Sequence, residues 1–157
     1  MEGKLTNYSG ILVDSNNKVI LLDGQPIYVN NYLKFTSDNA NIVERCTYTT
    51  LRNGVTVNAT SSYGRASFYF NVVSGKRYKL TFNSTCTAGY KMLYVSDKLY
   101  QSGEGWSGTY TTISLSTDGT KSYTFTADSN ILWLGLYASA NTSTGDITIT
   151  NAELEEV

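Results

Sequence analysis

The sequence predicts an all-β sandwich, because short segments that alternate between apolar and polar residues recur along it at the spacing of strands joined by tight turns. The composition agrees. Hydrophobic residues make up 41% of the 157 residues and charged residues only 16%, so neutral Thr, Ser, Asn and Tyr must cover much of the surface. Thr and Tyr favour strands, and 13 Gly against a single Pro supply turns. No run of ten or more residues has helical spacing.

The N-terminal part of the chain predicts a β-hairpin that is separate from the sandwich. Residues 10–22 contain two apolar runs around the polar residues 14–17, which is typical of a hairpin. The only proline, Pro26, and a polar stretch over residues 36–42 indicate a boundary after this segment. We therefore assign residues 1–40 to an N-terminal hairpin and attachment segment, and residues 41–157 to the sandwich. Because a two-stranded hairpin is only marginally stable alone, we expect the segment to dock on the sandwich, on a partner subunit, or on both.

The sandwich strands follow one another from Ile42 to the C-terminus. Asn53-Gly54 is the strongest hairpin signal, since a type I′ turn requires positive φ at both central positions. Ser74-Gly75 marks a second turn between two strands that alternate between apolar and polar residues. The predicted strands cover residues 46–52, 55–61, 66–73, 77–82, 89–95, 112–115, 123–126, 131–138 and 146–154, with a Gly/Ser-rich loop over residues 102–109.

The strand over residues 131–137, Ile-Leu-Trp-Leu-Gly-Leu-Tyr, carries the main functional hypothesis. Alternation with a period of two places its three leucines on one face and Trp133 and Tyr137 on the other. If the leucines face the core, an indole and a phenol face outward, where the apolar C–H groups of a sugar ring can stack on them. The alternative is that Trp133 fills the core or lies under a loop or under the N-terminal hairpin. Polar side chains predicted on nearby outward faces would bind the sugar hydroxyls: Asn71, Arg77 and Lys79.

Further aromatic residues extend this hypothesis. Trp106 lies in the Gly/Ser-rich loop, where packing alone does not easily explain a tryptophan, although it is also suited to capping one end of the sandwich. Tyr69 lies on the predicted outward face of its strand, and Tyr90 and Tyr94 support the same argument. The candidate carbohydrate-binding residues are Trp133, Tyr137, Trp106 and Tyr69.

Several classes of function are disfavoured by the residues that are present. The chain contains no His, which removes the commonest general base and the commonest transition-metal ligand. Glycoside hydrolysis needs two carboxylates across a cleft, whereas the acidic residues lie in predicted turns: Asp97, Glu104, Asp118, Asp128 and Asp146. A net charge of -1 with scattered Lys and Arg disfavours nucleic-acid binding. We therefore predict a protein that is not an enzyme.

The two cysteines, Cys46 and Cys86, either pair across the sandwich or remain free, and a chain of this length does not need a disulfide. We expect free thiols.

No stretch of about 18 apolar residues is present, so no membrane insertion is expected. The residues after Met1 are polar, unlike a secretory signal peptide. A complete gene product would therefore stay in the cytoplasm until released, whereas a fragment of a longer protein would be under no such constraint.

An ordered series of features runs through residues 63–157. It comprises the aromatic strand over 67–73, Ser-Gly-Lys-Arg-Tyr-Lys-Leu-Thr-Phe over 74–82, Tyr-Thr-Phe over 123–125, the strand around Trp133, and Gly-Asp-Ile-Thr-Ile-Thr-Asn-Ala-Glu-Leu over 145–154. This series resembles the jelly-roll carbohydrate-binding modules of glycoside hydrolases, which also recur in bacteriophage virion proteins; residues 74–82 resemble the family's pGktYtlsf turn and strand. The resemblance implies a jelly-roll sandwich that binds sugars.

The same resemblance bears on cofactors. Many members of the family end in iDdv.L, whose first Asp helps to hold a structural calcium ion. Aligned on Leu154, this chain has Thr150 and Asn151 at those positions. We expect no cofactor, and a structural calcium ion stays an alternative that this departure weakens.

Two functional hypotheses remain. In the first, the protein is a non-catalytic bacteriophage virion module, such as a head fibre, decoration or tail-appendage protein, whose N-terminal segment docks on the particle. Its partners would be other virion proteins and host-surface glycans, and a homo-oligomer is compatible with it. The low charge and the polar N-terminus favour this, since lysis frees virions without secretion.

In the second hypothesis, the protein is an accessory carbohydrate-binding module of a secreted or surface glycan-degrading protein. The expected location is the virion, or the extracellular space if the chain is a fragment.

Overall fold

The computed structural model describes residues 6–8, 11–13, 21–22, 25–26, 32–87, 91–98, 109–138 and 144–157. All regular elements in these ranges are β-strands, which confirms the predicted fold class. The chain forms two compact units, Met1–Asn31 and Tyr32–Val157. No helix among the described residues is long and apolar enough to cross a membrane.

The first unit contains four short strands: β1 (Thr6–Tyr8), β2 (Ile11–Val13), β3 (Leu21–Leu22) and β4 (Gln25–Pro26). Strand β1 pairs with β2, and β3 with β4, both antiparallel. The sequence also predicted a pairing between the apolar runs on either side of residues 14–17; residues 14–20 lie outside the described residues, so this pairing stays a prediction. Ser9-Gly10 and Asp23-Gly24 separate the observed pairs in the sequence, and such short Gly-containing connections favour hairpins.

The second unit begins at Tyr32, earlier than the predicted boundary between residues 40 and 41. Phe35 is only 2% exposed, and its ring packs edge-on against Phe68 and Phe70, at centroid distances of 5.1 and 5.3 Å. The backbone N–H of Leu33 donates to the carbonyl oxygen of Ala152 at 2.6 Å. The polar stretch after Phe35 indicated a boundary in the sequence, but two apolar residues before it belong to the sandwich core.

The second unit consists of two five-stranded antiparallel sheets. Its strands are β5 (Ala40–Glu44), β6 (Cys46–Leu51), β7 (Gly54–Ala59), β8 (Arg65–Asn71), β9 (Arg77–Cys86), β10 (Met92–Ser96), β11 (Thr109–Ser114), β12 (Gly119–Thr126), β13 (Ile131–Tyr137) and β14 (Gly145–Glu156). The first sheet, here called sheet I, has the order β11-β10-β13-β8-β5, and the second, sheet II, has the order β12-β9-β14-β7-β6. This arrangement confirms the predicted jelly-roll sandwich.

The core lies between the inner faces of the two sheets. Sheet I contributes the apolar residues at alternate positions of its central strands, and sheet II does the same: Ala66, Phe68, Leu93, Val95, Leu132, Leu134 and Leu136 face Val55, Val57, Leu80, Phe82, Ile147 and Ile149. Because successive side chains of a strand point to opposite faces, the intervening residues form the two outer faces. Any binding surface on the strands must therefore lie on one of these outer faces.

The hairpin at Asn53-Gly54 is present, but its physical cause differs from the predicted one. Leu51 pairs with Gly54, and neither Asn53 nor Gly54 has positive φ. A Cβ atom on Gly54 would instead lie 1.9 Å from the carbonyl oxygen of Ile149 on β14. Glycine is required here because β7 and β14 approach each other so closely that a Cβ atom has no space.

Candidate functional site

The alternation predicted for β13 is present in the structure. Leu132, Leu134 and Leu136 are buried in the core, whereas Trp133 and Tyr137 are half-buried on the outer face of sheet I. Trp133 therefore does not fill the core, which was one of the alternatives left open by the sequence.

Strand register places a second predicted residue beside the tryptophan. Tyr69 on β8 is the direct cross-strand partner of Trp133, and the ring centroids are 5.5 Å apart with the planes tilted by 56°. The Tyr69 hydroxyl donates to the carbonyl oxygen of Asp38 at 3.2 Å, which fixes the outer end of the ring. Half-buried aromatic rings held at this separation form a rigid apolar surface.

A second aromatic group surrounds Tyr137 on the same face. Tyr94 on β10 contacts the Tyr137 ring edge-on, with a centroid distance of 6.3 Å and an interplanar angle of 79°. Tyr63 lies on the other side, also at 6.3 Å. Tyr63 is 43% exposed and has a φ of 63°, a conformation that non-glycine residues adopt at a cost. Tyr63 could not be predicted from the sequence, because a single tyrosine between strands carries no periodic signal.

The two aromatic groups are separated by small residues. Gly135 lies between Trp133 and Tyr137 on β13, and its cross-strand partners are Ser67 on β8 and Tyr94 on β10. The Ser67 hydroxyl is buried and has no hydrogen-bond partner. A buried hydroxyl without a partner costs free energy. Ser67 therefore places an unpaired polar group at the centre of an otherwise aromatic face, at some cost in stability.

One ion pair lies at the Tyr137 end of this face. Arg65 on β8 is in register with Tyr137 on one side and with Glu44 on the other. The guanidinium Nε donates to the Glu44 carboxylate at 3.0 Å, and a second guanidinium nitrogen donates to the same oxygen. The pair is partly buried, so salt screens it less than it would an exposed pair.

The structure separates some of the predicted residues from this face. Arg77 and Lys79 lie on β9, in sheet II, and therefore cannot reach a ligand on the outer face of sheet I. Their strand was predicted correctly, but the sequence does not show to which sheet a strand belongs. Asn71 is exposed on β8, two residues from Tyr69, and stays within reach. Trp106 and Tyr90 lie outside the described residues.

The outer face of sheet II differs in character. A shallow depression of about 170 Å³ there is lined by four hydroxyl groups, one thiol and one carboxylate: Thr56, Thr85, Cys86, Thr87, Asp146 and Thr148. The hydroxyls of Thr56 and Thr148 are already hydrogen-bonded to each other at 2.9 Å. None of these six residues is aromatic, so they offer no ring for stacking.

The residues at the family's calcium position do not fit a calcium ion. Calcium prefers several carboxylate and carbonyl oxygens. Thr150 pairs with Gly54 and Asn83 inside sheet II, and neither it nor Asn151 carries a charge. Across the described part of the chain, no three Cys, Asp or Glu side chains come together as metal ligands.

The two cysteines are both free and half-buried. Cys46 on β6 and Cys86 on β9 are separated by β7 and β14 in sheet II, which at ordinary strand spacing puts them about 14 Å apart, beyond the reach of a disulfide. The Cys46 thiol donates to the carbonyl oxygen of Arg65 at 3.0 Å. Burial raises the pKa of the Cys46 thiol above its ordinary value, so this residue stays a neutral thiol.

Comparison with known structures places this architecture among known folds. The described sandwich is similar to a CBM4 carbohydrate-binding module, with a TM-score of 0.52 and 12% identity over 74% of this chain and 77% of the other. The N-terminal cellulose-binding domain of β-1,4-glucanase C from Cellulomonas fimi gives a TM-score of 0.51 and 13% identity over 76% and 88%. The fold is that of a carbohydrate-binding module. At these identities the likeness concerns the fold alone.

A phage protein is also similar in structure. The enzymatically active domain of tailspike protein 4 from bacteriophage CBA120 gives a TM-score of 0.51 and 12% identity over 76% of this chain. The similar region covers only 19% of that tailspike chain. The sequence matches no protein-family model and no curated protein sequence.

Proposed function

We propose that this protein is a non-catalytic glycan-binding module whose ligand lies on the outer face of sheet I. The observation that carries the proposal is the Tyr69–Trp133 pair, two aromatic rings held 5.5 Å apart on the outer face of a sandwich. Sugar rings present apolar C–H groups, which pack on such rings, while their hydroxyls need polar partners. Asn71, which is exposed on the same face, supplies a polar partner.

Tyr137 and Tyr63 extend this surface into a second stacking position. Along β13, Tyr137 lies four positions after Trp133, which corresponds to about 13 Å at the rise of a strand. This span favours a ligand longer than one sugar ring. We retain Trp106 as a further candidate on the strength of its sequence context.

Binding is tested by isothermal titration calorimetry on a panel of oligosaccharides, with Trp133→Ala as the diagnostic variant. We expect at least a tenfold loss of affinity, or about 1.4 kcal/mol, since the variant loses a stacking surface. Ile131→Ala is the matched control, because Ile131 lies on the same face of the same strand, is 39% exposed, and is not aromatic. Equal affinities for both variants and the wild type would exclude this face as the binding site.

For the biological setting, we propose a bacteriophage virion protein in which the N-terminal unit, Met1–Asn31, attaches to the particle and the sandwich is exposed to host-surface glycans. The low content of charged residues and the structural similarity to a tailspike domain support this setting. The alternative, an accessory module of a glycan-degrading protein, is supported by the similarity to a cellulose-binding domain of a glucanase.

The genes that flank the coding sequence distinguish the two settings. Virion structural genes on both sides are expected under the first proposal. Polysaccharide-degradation genes there would favour the alternative and would leave the proposed binding face unchanged.

A further inference from the structure

The strands of sheet I contain a single cation and a single anion. Arg65 is the only Lys or Arg in β5, β8, β10, β11 and β13, and Glu44 is the only acidic residue there. All other side chains that these strands direct outward are neutral. Since Arg65 is in register with Tyr137, its guanidinium is the one positive charge beside the aromatic face that the strands provide.

Glu44 already binds this guanidinium. The Nε and one terminal nitrogen of Arg65 both donate to the same Glu44 carboxylate oxygen. The exposed fractions of the two side chains are 12% for Arg65 and 34% for Glu44. Arginine is the side chain best suited to bind a ligand carboxylate with two parallel hydrogen bonds, and here a carboxylate of the protein itself has taken that place.

An anionic sugar would therefore meet an unfavourable site. To reach Arg65, its carboxylate would have to displace Glu44, or else lie close to it with like charges facing each other. Neither cost arises for an uncharged sugar, which needs only the rings and the neutral hydrogen-bonding groups. The ion pair would thus discriminate between anionic and uncharged sugars without contacting the uncharged ones.

On the basis of the proposed function, we propose that Glu44 is a specificity-determining residue. By occupying Arg65, it makes the outer face of sheet I select uncharged glycans and reject glycans that carry carboxylates, such as those containing uronic acids. Removing the Glu44 charge breaks this ion pair and admits such acidic glycans.

The test is calorimetry of the full chain with a neutral oligosaccharide and a uronic-acid oligosaccharide, comparing wild type with Glu44→Gln. We expect the variant to bind the uronic-acid ligand at least about tenfold more tightly than wild type, or about 1.4 kcal/mol, with affinity for the neutral ligand changed by less than about twofold. The gain must shrink as salt is added, because it is electrostatic. The double variant E44Q/R65Q must lose the gain, since Arg65 is the group released.

Glu156→Gln is the matched control. It changes the net charge by the same amount and releases Lys76 from an ion pair of 2.7 Å, but Lys76 and Glu156 lie at sheet II. We expect no gain in uronic-acid binding from it. Glu44→Asp, which keeps the carboxylate, must also show none. A gain of equal size in E156Q, or one that persists in E44Q/R65Q, would overturn the assignment of Glu44.

Folding of each variant is checked by circular dichroism and thermal unfolding. If E44Q is unstable, Arg65→Gln alone tests the same assignment with the opposite sign, because it leaves the Glu44 carboxylate unpaired and must lower uronic-acid binding below the wild-type level; an unchanged affinity would overturn the assignment. If E44Q binds the neutral oligosaccharide and its preference for it over the uronic-acid oligosaccharide equals that of the wild type, only the role of Glu44 is overturned. Failure of every variant and of the wild type to bind any glycan overturns the proposed function as well.

Discussion

Tyr69 and Trp133 lie directly opposite each other on β8 and β13, and their rings meet at 5.5 Å on the outer face of sheet I. The Tyr69 hydroxyl donates to the Asp38 carbonyl oxygen, so ring and hydroxyl have separable roles. Tyr69→Ala is expected to weaken glycan binding about tenfold, because it removes half of the stacking surface. Tyr69→Phe keeps the ring, and should retain affinity within about twofold while losing about 1 kcal/mol of unfolding free energy. Calorimetry and denaturant unfolding measure the two effects, and equal loss of binding in both variants would contradict this separation.

Leu134 lies on the same strand as Trp133 but faces the core. Leu134→Ala is expected to lower the free energy of unfolding by about 2–5 kcal/mol, because it leaves a cavity between the sheets. Ile131→Ala, on the outer face, should cost less than about 1 kcal/mol. Urea unfolding of both variants checks this contrast, and similar costs would contradict the assignment of the two faces of β13.

Gly54 and Gly75 are required for different reasons, a close backbone approach and a positive φ, and substitution by alanine distinguishes these reasons. Gly54→Ala would place a Cβ atom 1.9 Å from the Ile149 carbonyl oxygen, so we expect a loss of at least about 3 kcal/mol or a failure to fold. Gly75 has a φ of 83° with open space around it, so Gly75→Ala should cost only about 1 kcal/mol, from backbone strain. Thermal unfolding distinguishes them. A small effect at Gly54 would show that β7 and β14 separate easily at this point.

The buried thiol of Cys46 predicts a loss of stability at high pH. Its pKa is raised above 9.0, chiefly by burial, so the folded protein keeps the proton at a pH where the unfolded chain has begun to release it. The stability that this provides is therefore complete below about pH 9 and falls as the pH rises toward the folded pKa. In the Cys86→Ser variant, unfolding free energy should fall more steeply above about pH 9 than in the double variant C46S/C86S. The same variant should react slowly with iodoacetamide while folded and faster when unfolded. Parallel pH curves for the two variants would refute the prediction.

Much of the local structure could be predicted from the sequence. The alternation in β13 separates the leucines from Trp133 and Tyr137 because it depends only on the geometry of an extended chain. Asn53-Gly54 predicts a hairpin where the structure has one, because turn residues act locally. The type I′ explanation was wrong, and no local pattern predicts the contact of Gly54 with Ile149. Leu33 and Phe35 belong to the core but precede the boundary predicted after residue 40, because two apolar residues form too short a pattern to indicate a packed segment.

The sequence by itself determined an all-β sandwich with aromatic residues on the outward side of β13, since both follow from local periodicity and turn chemistry. Only the tertiary structure decided which residues share a face. It placed Tyr69 beside Trp133, brought Tyr63 to Tyr137, moved Arg77 and Lys79 to the opposite sheet, and joined Arg65 to Glu44. Strand order and register arise from pairing between segments that are far apart in the chain, and no local pattern encodes such pairing.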